Sequence, residues 1–242
     1  EHQRNRAENL YNLQSQFVSI ISHELRTPLT SIKGSLGLIE GGQAGEIPPK
    51  VKNLVSIANR NSIRLVALIN DLLDVQKFES GKMTLDISPV NITQLVKEAV
   101  EANKNYKSAM NVQFKTFGLE NAVYVNADYD RLMQVMANIL SNAVKFSEMG
   151  GDVVVSLEDD ASKVRISIQD QGEGIPEEAR DKVFAQFEQA DGSSQRKAGG
   201  TGLGMYITKK IMEGHVGSIN FSSEVGKGTT FYIELAVTNP NE

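Results

Sequence analysis

The first eighty residues carry two long runs of apolar side chains at three- and four-residue steps, and this period constrains the fold more than any other feature. Leu10, Leu13, Phe17, Ile20, Ile21, Leu25, Leu29, Ile32, Leu36 and Ile39 make the first run. Val51, Leu54, Val55, Ala58, Ser62, Leu65, Ile69, Leu72, Val75 and Phe78 make the second. Both spacings are helical. Gly41 to Pro49 separates the runs with glycine and proline, and Ser80-Gly81 supplies a stop. Two long helices with a short break predict an antiparallel hairpin, its first helix about 60 Å long at 1.5 Å per residue. Each apolar stripe is wider than one partner covers. A second hairpin should complete a four-helix bundle, so a homodimer is expected.

From Lys82 the texture changes. Met83 to Ile87 alternates like a strand, and Asn91 to Met110 has helical spacing. Val112 to Phe117 and Val123 to Val125 read as short strands, and Asp128 to Phe146 as a strong helix with Asp128 at its N-cap. Gly151 to Leu157 and Val164 to Asp170 predict a hairpin around Glu158-Asp159-Asp160. A helix from Leu203 to Met212 and strands at Ile219 to Ser222 and Thr230 to Leu235 follow. The mixture predicts an α/β layer, one sheet with helices on one face, after the helical hairpin. The domain boundaries are expected at 1–80 and 83–238, with a hinge between.

Composition excludes several classes. A net charge of −5 gives no basic field, so nucleic acid is not an expected partner. No cysteine is present, which rules out disulfides and thiolate metal sites and suits a reducing compartment. No apolar run approaches the roughly 18 to 20 residues of a membrane span. The sequence opens inside a helical pattern without an initiator methionine, which predicts a fragment of a longer protein.

Within the first helix stands Ser22-His23-Glu24-Leu25-Arg26-Thr27-Pro28. His23 falls off the apolar stripe, beside Glu24 and one turn before Thr27. Pro28 cannot donate to the carbonyl of Glu24, so the helix should bend or loosen there. An exposed imidazole with an adjacent acid suits proton and group transfer. Taken alone, an ordinary surface histidine is the better reading. His2 and His215 have plain explanations, His215 as a cationic side chain at a helix end.

The parts downstream change that balance. Asn138 and Asn142 are four residues apart and share one helix face, with Lys145 one turn on. Amide oxygens suit Mg²⁺, which keeps several waters when it rides on phosphates. Asp170-Gln171-Gly172-Glu173-Gly174-Ile175 follows a strand, and its carboxylate can accept from an exocyclic amine such as that of adenine. Gly172 and Gly174 would let backbone approach a flat ring. Gly199-Gly200-Thr201-Gly202-Leu203-Gly204 precedes a helix, a pattern that offers backbone N–H groups to phosphates. Gly226-Lys227-Gly228-Thr229-Thr230 makes another tight approach. Between the glycine segments, 176 to 199 is long enough to act as a lid anchored by Phe184 and Phe187, with Arg196 and Lys197 placed for phosphate oxygens.

Ser-His-Glu-Leu-Arg-Thr-Pro-Leu, Asn-Ile-Leu-Ser-Asn-Ala-Val-Lys-Phe-Ser, Asp-Gln-Gly-Glu-Gly-Ile, Phe-Ala-Gln-Phe and Gly-Thr-Gly-Leu-Gly-Met occur in this order and at the spacing of bacterial sensor histidine kinases. The chain resembles that family over nearly its whole length. The resemblance implies a dimerisation and phosphotransfer hairpin followed by a Bergerat-type α/β sandwich that binds ATP and Mg²⁺. It implies that His23 takes the γ-phosphoryl group, Glu24 assists proton removal, and Thr27 helps hydrolyse the phosphorylated regulator. It implies Asn142 as the metal ligand supported by Asn138, and Asp170 as the adenine reader. It places Lys145, Gly172, Gly174, Ile175, Arg196, Gly200, Thr201, Gly202, Leu203, Gly204 and Thr230 around the nucleotide. The implied partners are a response regulator receiver domain, in cis or in trans, and an upstream sensor domain, in a cytoplasmic fragment of a membrane-anchored sensor. The lid segment Phe187 to Asp191 is more similar to hybrid kinases than to simple ones.

Two alternatives remain open on the sequence. One is an ATP-driven conformational module of the chaperone type, without phosphotransfer. The related ATPases place a glutamate four residues before the metal-binding asparagine; here that place holds Asn138, an amide that is no base at neutral pH. The other is a degenerate kinase serving as a scaffold or phosphatase, which the intact glycines, asparagines and His23 argue against.

Overall fold

The computed structural model describes residues 2–104, 111–160, 162–188 and 201–238, with side chains from residue 20 onward except that of residue 23. The chain divides into two compact units, Glu1–Met83 and Thr84–Glu242.

The first unit is the expected hairpin: α1 (His2–Glu40) packed on α2 (Pro49–Glu79). α1 runs without a break through Pro28. At the turn Gly42 and Gly45 take left-handed backbone, φ 79° and 90°. α2 ends in a paired stop: the N–H of Gly81 donates to the Phe78 carbonyl and that of Lys82 to the Lys77 carbonyl. The Arg26 guanidinium donates to Asn70 Oδ1 at 3.1 Å and Asn59 Nδ2 to Glu40 Oε2 at 2.6 Å, tying the helices at two levels. Ser22, Ile69 and Val75 are buried between them. Ile20, Leu25, Ile32, Leu54 and Ile57 remain exposed, so the hairpin covers only part of its apolar surface.

In the second unit a short antiparallel pair, β1 (Ser88–Asn91) with β3 (Tyr124–Ala127), adjoins a five-stranded sheet of order β2-β4-β5-β7-β6 through an isolated bridge between Val125 and Val237. These are β2 (Gln113–Phe117), β4 (Asp152–Asp159), β5 (Lys163–Gln169), β6 (Ser218–Glu224) and β7 (Gly228–Ala236). β2 and β4 run parallel and the other neighbours antiparallel. Helices α3 (Ile92–Asn103), α4 (Tyr129–Phe146) and α6 (Gly204–Gly214) supply the second layer; α5 (Glu177–Arg180) is a single turn. Alternate residues of three central strands are buried: Val153, Val155 and Leu157, then Val164, Ile166 and Ile168, then Phe231, Ile233 and Leu235. Against them α4 sets Leu132, Val135, Met136, Ile139 and Leu140, all buried. Truncating one such leucine to alanine should cost about 2–5 kcal/mol.

Three expectations need correction. Met83 to Ile87 is not a strand: Leu85 covers Gly214, whose Cβ, if present, would stand 3.0 Å from Leu85 Cδ1, and the Asp86 N–H is taken by Asp128 Oδ2 at 3.0 Å. No single continuous sheet holds every strand: β1 and β3 form their own ladder, joined to the end of β7 through the isolated Val125–Val237 bridge. His215 is no surface cation. It is buried, its Nδ1 lies 2.8 Å from the Ile211 carbonyl, and its Nε2 accepts the Asp128 N–H at 2.9 Å. A ring that accepts through Nε2 and donates through Nδ1 is neutral. No helix among the described residues is long and apolar enough to cross a membrane.

Candidate active site

The end of β5 delivers Asp170 into the fold, 5% exposed. Its N–H donates to the Thr229 carbonyl at 2.9 Å, continuing the β5–β7 ladder. Its Oδ1 accepts from the N–H of Gly172 at 3.0 Å and of Thr229 at 3.1 Å. Among the described residues nothing bonds to Oδ2. Burial pushes this carboxyl above the usual range, and the two N–H donors pull it part of the way back. The result is a carboxylate held by one oxygen and presenting the other.

The glycines after Asp170 answer first to the chain's own backbone. A Cβ on Gly172 would stand 2.1 Å from the Phe146 carbonyl oxygen at the end of α4. Gly174 combines φ +75° with a carbonyl of Glu224 that would lie 2.3 Å from its Cβ. The loop is thus wedged between the end of α4 and the β6–β7 turn. Ile175 and Pro176 follow, half-buried, before α5.

α4 and α6 meet through Asn138. Its Nδ2 donates to the Gly204 carbonyl at 3.1 Å and to Thr208 Oγ1 at 3.2 Å, which leaves Oδ1 without a partner among the described residues. One turn on, Asn142 is half-buried and its side chain makes no hydrogen bond among the described residues. Lys145 Nζ sits 4.6 Å from the Phe146 ring centroid. At the start of α6 the Leu203 N–H donates to Thr201 Oγ1 at 3.1 Å, but no side chain caps the helix itself. Gly202 takes φ +72°, and its carbonyl accepts the Phe187 N–H at 3.1 Å. Arg196 and Gly200 lie outside the described residues. The threonine bonded to Asp170 is Thr229; Thr230 stands one residue on, paired with Gln169 and Ser222 in the sheet. Nothing in a Gly-Thr-Thr run tells which threonine turns inward; strand alternation from Phe231 would have pointed to Thr229.

In the hairpin unit, position 23 lies within α1, and the flanking Glu24 and Thr27 are exposed. Pro28 occupies the next helical position, and Ser22 is buried.

Residues 13–81 match the "His Kinase A (phospho-acceptor) domain", and residues 127–239 match the family described as "Histidine kinase-, DNA gyrase B-, and HSP90-like ATPase". The chain belongs to the histidine kinase family. This chain is 34% identical to the circadian input-output histidine kinase CikA of Synechococcus elongatus, over 91% of its own length and 29% of that protein. It is similar to full-length ShkA in complex with AMPPNP, with a TM-score of 0.74, 26% identity and coverage of 93% of this chain and 46% of that one. It also resembles the catalytic domain of histidine kinase ThkA, at 30% identity and a TM-score of 0.55, across 62% of this chain and 95% of that one. The chain spans under a third of the length of curated relatives such as CikA. Its two matched segments follow the division into a helical unit and an α/β ATPase unit with a five-stranded sheet.

Proposed function

We propose that this chain is the core of a two-component sensor kinase that moves the γ-phosphoryl group of ATP to His23 and then to an aspartate of a response regulator. The observation that carries the reading is the Asp170 carboxylate, enclosed, anchored through Oδ1 and open at Oδ2. An adenine 6-amino group is a donor that such an acceptor selects. The ATPase family match and the AMPPNP bound by ShkA support an adenine nucleotide.

The remaining parts divide the work. The uncapped start of α6 offers the N–H groups of Gly202 and Gly204 to phosphates, and Thr201, Leu203, Lys145, Gly200 and Arg196 add to that end. The amide oxygens of Asn142 and Asn138 fit a hard cation. Mg²⁺, when bound, neutralises charge on the phosphates. Asn138 is an amide and its Nδ2 donates to Gly204 and Thr208, so it is no base where the related ATPases activate water. Transfer to protein is favoured over hydrolysis.

At His23 a neutral ring nitrogen forms the N–P bond as the bond from phosphorus to the β,γ-bridging oxygen breaks, and ADP leaves with that electron pair. Glu24 holds the N–H of the other nitrogen and takes the proton. Thr27 assists hydrolysis of the phosphorylated regulator. The exposed stripe of Ile20, Leu25, Ile32, Leu54 and Ile57 fits a second copy of the hairpin, giving a homodimeric four-helix bundle. Incubation with γ-labelled ATP and Mg²⁺ should give an acid-labile label on the wild-type chain. His23→Gln should lose it while nucleotide binding survives; label retained in that variant would refute the assignment.

A further inference from the structure

Ser223, near the end of β6, joins the turn at 224–228 to both ends of the Asp170 loop. The Ile175 N–H donates to Ser223 Oγ at 2.7 Å. Ser223 Oγ lies 2.9 Å from Thr229 Oγ1 and 3.1 Å from the Gly228 carbonyl oxygen. A hydroxyl has one hydrogen to give and two lone pairs to accept with. All three contacts are satisfied when Ile175 N–H and Thr229 Oγ1–H donate to Ser223 and Ser223 donates to Gly228. The same Thr229 gives its N–H to Asp170 Oδ1. Two further bonds hold the frame: the Gly226 N–H donates to the Glu173 carbonyl at 2.8 Å, and the Arg180 guanidinium to the Ser223 carbonyl at 2.7 Å.

We propose that Ser223 is a positioning residue for adenine recognition: its hydroxyl locks Ile175 and Thr229 together and thereby aims the free oxygen of Asp170. Its side chain is bonded on every side by the protein, so it acts through Thr229 and Ile175 and not on the nucleotide. The consequence falls on selectivity for the base and leaves the transfer step alone. The inference rests on Asp170 reading the 6-amino group of adenine.

Calorimetric titration with ADP and with IDP, which has a carbonyl in place of that amine, separates the two claims. The wild-type chain should prefer ADP by about tenfold or more. Ser223→Ala should weaken ADP by about five- to tenfold and IDP much less, reducing the preference to about twofold. His23 labelling at saturating ATP should stay within about twofold of wild type. Ser223→Thr, which keeps the hydroxyl, should restore the preference. Thr229→Val, which keeps the N–H to Asp170 but removes the hydroxyl, should shift selectivity in the same direction and covers the case in which Ser223→Ala fails to fold. An unchanged ADP-to-IDP ratio in both hydroxyl-deleted variants, beside a discriminating wild type, would overturn the role of Ser223. A wild-type chain that does not discriminate would overturn the adenine reading of Asp170 and this inference with it.

Discussion

The backbone N–H of Asp128 donates to Nε2 of His215 across 2.9 Å, joining the N-cap of α4 to the residue that closes α6. The same Asp128 accepts the N–H of Arg131 through Oδ1 and of Asp86 through Oδ2, so the entry of the ATP-binding unit is fastened to the same point. The two helices that carry Asn138 and Gly204 are thus tied at their far ends. His215→Ala leaves a part-buried N–H without its acceptor and opens space under Leu85 and α6. A loss of about 1–3 kcal/mol is expected in urea unfolding. His215→Gln, which can place an acceptor oxygen near Nε2, should recover part of it. Equal midpoints for wild type and alanine variant would mean the bond contributes nothing.

Asp170 predicts a conflict between stability and binding. Its folded-state carboxyl is raised by burial, so the protonated form is favoured by folding and the ionised form at neutral pH opposes it. Asp170→Asn keeps an oxygen for the N–H groups of Gly172 and Thr229 and removes the buried charge. Its urea midpoint should exceed that of wild type at pH 7.5. The gain should shrink as pH falls through the raised folded-state value toward the ordinary carboxylate range, where the wild-type group becomes neutral. The variant should bind ATP at least about tenfold more weakly, because an amide N–H₂ then faces the adenine amine. A lower midpoint at pH 7.5 would contradict the burial cost.

Left-handed backbone at Val216 and at Gly174 predicts opposite signs. Val216 is β-branched, takes φ 55°, and is 95% exposed, so no contact offsets the strain. Val216→Gly should stabilise by about 1 kcal/mol. Gly174→Ala meets the Glu224 carbonyl oxygen at 2.3 Å as well as the strain of φ +75°, and should cost about 3 kcal/mol or more together with nucleotide affinity. Gly226, at φ +80° with open space around it, is the control for strain alone; Gly226→Ala should cost about 1 kcal/mol. Thermal unfolding of the three variants orders them.

The elements read correctly are those whose burial is periodic over many residues. α4 shows a helical apolar stripe between Leu132 and Val144, and β4, β5 and β7 alternate cleanly because one face meets the helices. Met83 to Ile87 alternates too, but the pattern has another cause. Leu85 is drawn to Gly214 and Asp86 to the Asp128 carboxylate, while Ile87 stays 48% exposed. α3 closes at Asn103, whose side chain turns back to the Ala99 carbonyl at 2.9 Å. The residues Asp170, Asn138 and Asn142 are visible as residue types, whereas the partners bonded to Asp170 and Asn138, Thr229 and Thr208, are short hydroxyl side chains common anywhere in a chain.

By itself the sequence determined the helical hairpin, the α/β layer after it and the set of polar and glycine residues that suit a nucleotide. These follow from local period and from chemistry that few residue types possess. Only the tertiary structure decided which oxygen of Asp170 is left without a partner among the described residues, that Gly172 and Gly174 are demanded by the chain's own carbonyls, and that His215 is a buried acceptor. Those facts arise from backbone groups brought together across tens of residues, and a hydrogen bond from a main-chain N–H leaves no trace in the identity of the residue that donates it.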